Sequence, residues 1–111
     1  MTTTPKVLPT LSPTFKATVG IPIAGEKETY GVEFYFRRMK RSEFREWAGK
    51  VDPNNVSADQ VLAMATGWDL SDPFDAANLS RVLEDYPGSG YAIFGRYTLE
   101  QQDAKLGNSV R

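Results

Sequence analysis

The sequence predicts an α+β fold, an N-terminal antiparallel β-hairpin packed on three or four short helices. Three observations carry this. Apolar residues alternate with period two from Thr14 to Ile23 and again from Thr29 to Arg38, the spacing of half-buried strands. A short Gly-containing stretch separates the two runs, as a hairpin requires. Beyond Arg41 the apolar spacing changes to three and four, the period of a helix buried along one side. A lone hairpin is marginal in water, so its apolar face must pack on those helices.

Taken in order, residues 1–13 are Thr/Pro-rich, with Pro5, Pro9 and Pro13. Proline fixes φ and removes a backbone donor, so this segment is expected to be a flexible arm. Val7, Leu8 and Leu11 give it apolar side chains with which to dock, but the composition favours mobility. Residues 14–108 follow as a single α+β domain. In "TFKATVGIPI" the residues Phe15, Ala17, Val19, Ile21 and Ile23 share one face, and Pro22 marks an edge strand or ends it early. Gly25 supplies the connection. In "TYGVEFYFRR" the matching face is Tyr30, Val32, Phe34 and Phe36. Phe15, Val19, Ile21, Val32, Phe34 and Phe36 are expected to face the helices.

"SEFREWAGK" puts Phe44, Trp47 and Ala48 on one helical face, with Gly49 as a stop. "VDPNN" is a loop. "SADQVLAMATG" opens with Ser57 and Gln60 in capping-box spacing, carries Val61, Leu62, Met64 and Ala65, and ends with Gly67 as a left-handed cap. A third helix runs from about Asp75 to Pro87–Gly88, with Leu79, Val82, Leu83 and Tyr86 as its stripe. A fourth runs from about Ser89 to Lys105, carrying Tyr91, Ile93, Phe94, Tyr97 and Leu99. Its polar later half, "EQQDAK", is expected to be exposed or frayed.

Composition narrows the function classes. At 41% hydrophobic and 24% charged, the 111-residue chain reads as globular, with one modest core. The net charge of −1 gives no bulk attraction to nucleic acid or anionic membrane. Cys and His are both absent, which removes thiolate and imidazole nucleophiles and Cys/His zinc sites. Without thiols, nothing follows about redox compartment. "MTTTPKVLPTLSPT" lacks a basic region before an apolar run, so no signal peptide is expected. No segment approaches the roughly 18 apolar residues of a membrane span.

"GWDLSDPFD" holds Asp69, Asp72 and Asp75 at a spacing of three. Calcium loops place oxygen ligands at alternate positions around a Gly, which this spacing and Pro73 do not match. The better reading is turn and cap chemistry: Asp75 caps the third helix and Asp72–Pro73 starts a turn, while Trp68 and Phe74 pack inward. No GxSxG, P-loop or GxGxxG occurs, and Gly88, Gly90 and Gly95 lack the preceding strand of a phosphate cradle. No catalytic residue, metal ligand or cofactor is assigned. "RRMKR", Arg37 to Arg41, follows Phe34, Tyr35 and Phe36 and could bind single-stranded nucleic acid. Its plainer reading is a solvated joint beside Glu43 and Glu46, with no second basic cluster to build a footprint. Two Trp, five Tyr and six Phe are more aromatics than so small a core readily hides, which points to a protein-binding surface of unassigned position.

An alternating hairpin, a helix after "RMKRSEF", then "GWDLSDPFDAANLSRVLEDYPG" and "AIFGRYTLEQQDAKLGN" resemble the small tail assembly chaperones of tailed bacteriophages. The likeness covers about residues 14–108. It is most specific at Gly67-Trp68-Asp69, Pro73-Phe74, Leu83 through Tyr86-Pro87, and Leu106-Gly107-Asn108. The resemblance implies a virus-encoded protein without enzymatic activity, made in the host cytoplasm. It implies binding to the aggregation-prone tape measure protein while the tail tube assembles, and absence from the finished particle. Self-association is also implied, with the tail tube protein as a secondary candidate partner. The alternatives are a structural tail component (tube, terminator or connector subunit) and a small nucleic-acid-binding regulator using Arg37 to Arg41.

Overall fold

The computed structural model describes residues 6–103. Two long strands, β1 (Thr14–Ile21) and β2 (Tyr30–Arg37), pair antiparallel from Thr14 opposite Arg37 to Ile21 opposite Tyr30. β1 is an edge strand and stops immediately before Pro22, which has no N–H to give a ladder. The connection includes a turn closed by Glu26 N–H donating to the Ile23 carbonyl, with Gly25 at φ 88°. An L side chain would be strained at that angle.

Four helices follow among the described residues: α1 (Arg41–Ala48), α2 (Ala58–Met64), α3 (Ala76–Asp85) and α4 (Ser89–Thr98). They cover one sheet face, from which Ala17, Val19, Ile21, Val32, Phe34 and Phe36 are buried and Phe15 half-buried. The expected hairpin orientation is therefore the observed one. The opposite face, with Lys16, Thr18 and Tyr35, is exposed. Two adjoining aromatic groups fill the core. Around Tyr97 lie Phe36 at 5.0 Å, Phe44 at 5.6 Å, Trp47 at 5.9 Å and Phe15 at 6.2 Å between ring centroids. Phe34 and Phe36, 5.6 Å apart, connect this group to Trp68 and Phe74. Offset and edge-on pairs of this kind add stability beyond the area they bury.

The structure corrects three expectations. The second helix does not extend to Gly67: it ends at Met64, and Ala65–Trp68 form β3, which adds to the far side of β2. Gly67 sits opposite Tyr35 in this strand, and positive φ among the glycines occurs at Gly25 and Gly88. Pairing with β2 overrides the helical spacing of Val61 to Ala65, because a strand is decided by its partner more than by its own residues. The pairing shifts between Tyr35 and Phe36, where Thr66 intrudes and its hydroxyl donates to the Tyr35 carbonyl over 3.2 Å.

The fourth helix is also shorter than expected, ending at Thr98 and passing into a π-helical turn over Leu99–Asp103. That polar turn is not simply exposed. Gln101 is half-buried, and its side chain accepts from Met39 N–H at 3.4 Å and donates to Met39 C=O at 3.0 Å. The remainder of the expected helix, and Leu106-Gly107-Asn108, lie outside the described residues.

Finally, the aromatic surplus is smaller than composition suggested. Every Phe and Trp is buried or half-buried, and the exposed aromatics are tyrosines: Tyr30, Tyr35, Tyr86 and Tyr91. Tyr30 and Tyr91 were expected on apolar faces and instead stand in water. A phenol tolerates this because its hydroxyl stays hydrated.

Candidate functional site

The aspartate segment builds structure. Trp68 Nε1–H donates to the Asp72 carbonyl at 2.8 Å, and the indole lies edge-on to Phe74 at 5.1 Å and Phe34 at 5.9 Å. Both rings pack inward as the sequence predicts, Trp68 buried and Phe74 half-buried. Asp75 caps α3, its Oδ1 accepting from Asn78 N–H at 2.8 Å. Asp72 pairs with Arg81 at 2.8 Å. Asp69 has a role the sequence did not signal. Its Oδ1 accepts from Glu33 N–H and its own N–H donates to Glu33 C=O, both at 3.0 Å, which continues the β2–β3 ladder past Trp68. Each carboxylate thus has its own protein partner. Among the described residues no group of three or more acidic side chains is placed to hold a metal ion.

The basic run is divided in the same way. Arg37 Nε donates to the Leu62 carbonyl at 3.3 Å, whereas Arg38 Nε donates to the Ser12 carbonyl at 2.8 Å and its guanidinium lies 5.3 Å from the Phe15 ring centre. Lys40 precedes α1, and its N–H donates to Glu43 Oε1 at 3.0 Å. Two of the arginines are held by carbonyls on separate stretches of chain, so the run does not form one continuous basic stripe.

An apolar groove of about 300 Å³ offers a different chemistry. One wall is the far end of the hairpin: Ile21, Ile23, Tyr30 and Val32. The other is Leu70, Val82 and Tyr86. The only polar side-chain atoms in this lining are the two phenol oxygens. Tyr30 is 60% exposed and Tyr86 39% exposed, so the groove opens to solvent between two tyrosines. Its cause lies in α3. Burial fades along the expected stripe, from Leu79, fully buried, through Val82 and Leu83, half-buried, to Tyr86. At this end of α3 the groove mouth is open, with Ile23 half-buried and Tyr30 and Tyr86 exposed, while Ile21 and Val32 form its buried floor. Sequence reading placed Val82 and Tyr86 on the apolar stripe of the third helix and did not single out Leu70. The flanking positions carry both signs: Glu28 and Lys27 precede Tyr30, Glu84 and Asp85 precede Tyr86, and Arg81, next to Val82, is paired with Asp72.

A second cleft, of about 550 Å³, lies at the base of the arm between Leu11, Phe15, Lys16, Arg38, Met39 and the Glu100–Gln101 turn. It is lined by charged and polar side chains as well as apolar ones.

The decisive comparison concerns the whole chain. Residues 3–108 match the family described as phage tail assembly chaperone. The chain belongs to this family. Comparison with curated proteins and with solved structures gave no match. The matched span takes in the four helices and the three strands described above. Among the described residues of this family member, no helix is long and apolar enough to cross a membrane.

Proposed function

We propose that this protein binds the tape measure protein of a tailed phage in the host cytoplasm and keeps it soluble while the tail assembles. In this reading it works without catalysis or cofactor and is absent from the finished particle. The observation that carries the proposal is the solvent-open apolar groove between Tyr30 and Tyr86, in a chain of the tail assembly chaperone family. A long, aggregation-prone client needs its apolar side chains sheltered from one another. A groove of this size takes only a few of them, so each contact is weak, on the order of micromolar, and coating comes from many copies along one client. Paired tyrosines suit such transient contact, because they bury area on binding and remain soluble when free.

Co-expression with the tape measure gene tests this. The tape measure protein should become soluble and co-purify with the wild-type chain, and both effects should fall with a Tyr30→Ser/Tyr86→Ser variant that folds normally. An insoluble tape measure protein, together with stoichiometric amounts of this chain in purified tails, would instead establish a structural tail subunit.

A further inference from the structure

The outer edge of β1 is a row of backbone groups without partners. Arg38 N–H donates to the Pro13 carbonyl at 2.8 Å, the half of a closely spaced pair that a proline can make. In an antiparallel ladder such pairs recur at every second residue, so Phe15, Ala17, Val19 and Ile21 direct their N–H and C=O groups at β2. The far side of β2 agrees, since Asp69 engages both backbone groups of Glu33 there. Thr14, Lys16, Thr18 and Gly20 therefore direct theirs away from the sheet. No other strand or loop backbone among the described residues bonds to them. Lys16, Thr18 and Gly20 are also exposed.

Edges that are closed to other chains are short, bulged, or interrupted by prolines and several charges. β1 has eight residues and one charge, Lys16, while Pro13 and Pro22 flank the strand without interrupting it. Its chemistry selects what can join it. Outward N–H and C=O groups at every second residue are met by an extended backbone. The side-chain preference is set at the Thr14 end, by the cleft of about 550 Å³ that Phe15 and Lys16 share with Arg38, Met39 and Lys40. Arg38 and Lys40 have no carboxylate partner among the described residues. Lys16 meets Glu33 only at 3.8 Å on the exposed face, and Glu100, the one acid in the cleft lining, is held by Arg96 at 2.7 Å. A second copy of β1 does not match this edge. It brings no carboxylate, and full antiparallel overlap makes the two Lys16 side chains diagonal neighbours on one face, where like charges repel.

We propose that β1 accepts an extended segment of another protein as a fourth antiparallel strand, with an acidic end of that segment beside Arg38 and Lys40. Main-chain bonds to Thr14, Lys16, Thr18 and Gly20 supply affinity that is indifferent to sequence. The cleft supplies register, because a carboxylate held at one end fixes which partner residue lies opposite Thr18. Partner side chains opposite Ala17 and Val19 lie on the helix side of the sheet and those opposite Lys16 and Thr18 on its exposed face. The fitting segment therefore alternates apolar and polar residues and ends in acid. An exposed nucleic-acid base finds no stacking platform here, since the Phe15 ring lies against Arg38 and Tyr97. This surface is separate from the client reading, which rests on the groove beyond Ile21.

A capped peptide, Ser-Val-Thr-Val-Thr-Val-Glu-Glu, tests this on the full chain, with a version ending in Lys-Lys as control. Amide exchange measured by NMR reads the geometry. In the free protein the N–H groups of Lys16, Thr18 and Gly20 should exchange fast while those of Ala17 and Val19 are protected. Saturating acidic peptide should slow the first three about tenfold or more, as a pairing strand does. The Lys-Lys peptide should bind several-fold more weakly, and the gap should narrow with salt. Thr18→Pro removes one outward donor at a position where edge strands tolerate proline, so it should fold and bind the peptide about tenfold more weakly. Lys40→Glu should weaken the acidic peptide and not the control. No binding at millimolar acidic peptide would overturn the proposal, as would protection of Lys16, Thr18 and Gly20 in the free protein. Protection that rises with protein concentration instead of peptide would assign the edge to a second copy, and shifts confined to the Tyr30–Tyr86 groove would place the peptide elsewhere; either result also overturns it.

Discussion

The Tyr97 hydroxyl donates to the Arg37 carbonyl over 2.6 Å. This bond ties the last turn of α4 to the last residue of β2, sixty positions apart in the chain. The phenol ring is fully buried among Phe15, Phe36, Phe44 and Trp47. A buried hydroxyl without a partner is costly, so the ring can hold this place only because β2 ends with a free carbonyl beside it.

Tyr97→Phe should therefore destabilise by about 1–2 kcal/mol near neutral pH, because the Arg37 carbonyl loses its donor. The pH dependence distinguishes this bond from simple packing. Burial, then the negative Glu43, push the Tyr97 pKa from 10.0 up to about 12, and Arg37 partly opposes them. The fold retains the proton more strongly than the unfolded chain does. The resulting stability is complete below the ordinary tyrosine pKa and is lost as pH rises through the folded value. Urea midpoints of wild type and Tyr97→Phe should converge as the pH rises above about 10. Parallel profiles would show that Tyr97 does not titrate in this way.

Trp68→Ala should cost about 3–5 kcal/mol, as truncations of large buried rings do, since the indole contacts both Phe34 and Phe74. Asp75→Ala removes one cap bond to Asn78 and should cost only about 1 kcal/mol. Denaturant titration of the two variants gives the ratio. Equal losses would mean that the segment is held by its turn rather than by its rings.

Two glycines of α4 should respond in opposite directions to alanine. A Cβ at Gly95 meets no atom within 4 Å, so Gly95→Ala should stabilise by up to about 1 kcal/mol through helix propensity alone. At Gly90 the added carbon would lie 3.0 Å from Val56 Cβ and 3.2 Å from Leu83 Cδ2. Gly90→Ala should push α4 away from α3 and the loop before α2, and lower the melting temperature.

Calcium or magnesium at millimolar concentration should leave the melting temperature unchanged, since specific binding to the folded state would raise it. The motive is the separate partnering of Asp69, Asp72 and Asp75. A rise abolished by Asp72→Asn would show that these carboxylates converge on a cation.

The sequence by itself determined the hairpin, its buried face and where each helix begins. Those signals are local: alternation from Phe15 to Ile21 and from Val32 to Phe36, the Ser57–Gln60 box and the Asp75 cap all act within a few residues. The resemblance, which rested on motifs such as Gly67-Trp68-Asp69 and Pro73-Phe74 rather than on spacing, is borne out by the family match. Tertiary structure decided the rest. Ala65–Trp68 became a strand because β2 had an open edge beside it, and four residues contain no period that could have announced this. Asp69 and Gln101 found backbone partners 36 and 62 positions away, beyond the reach of any motif. The groove opens where burial falls along α3 from Leu79 to Tyr86, although the two lie on one predicted stripe. Periodicity says which side of an element is apolar. Only packing decides how far along that side another element extends.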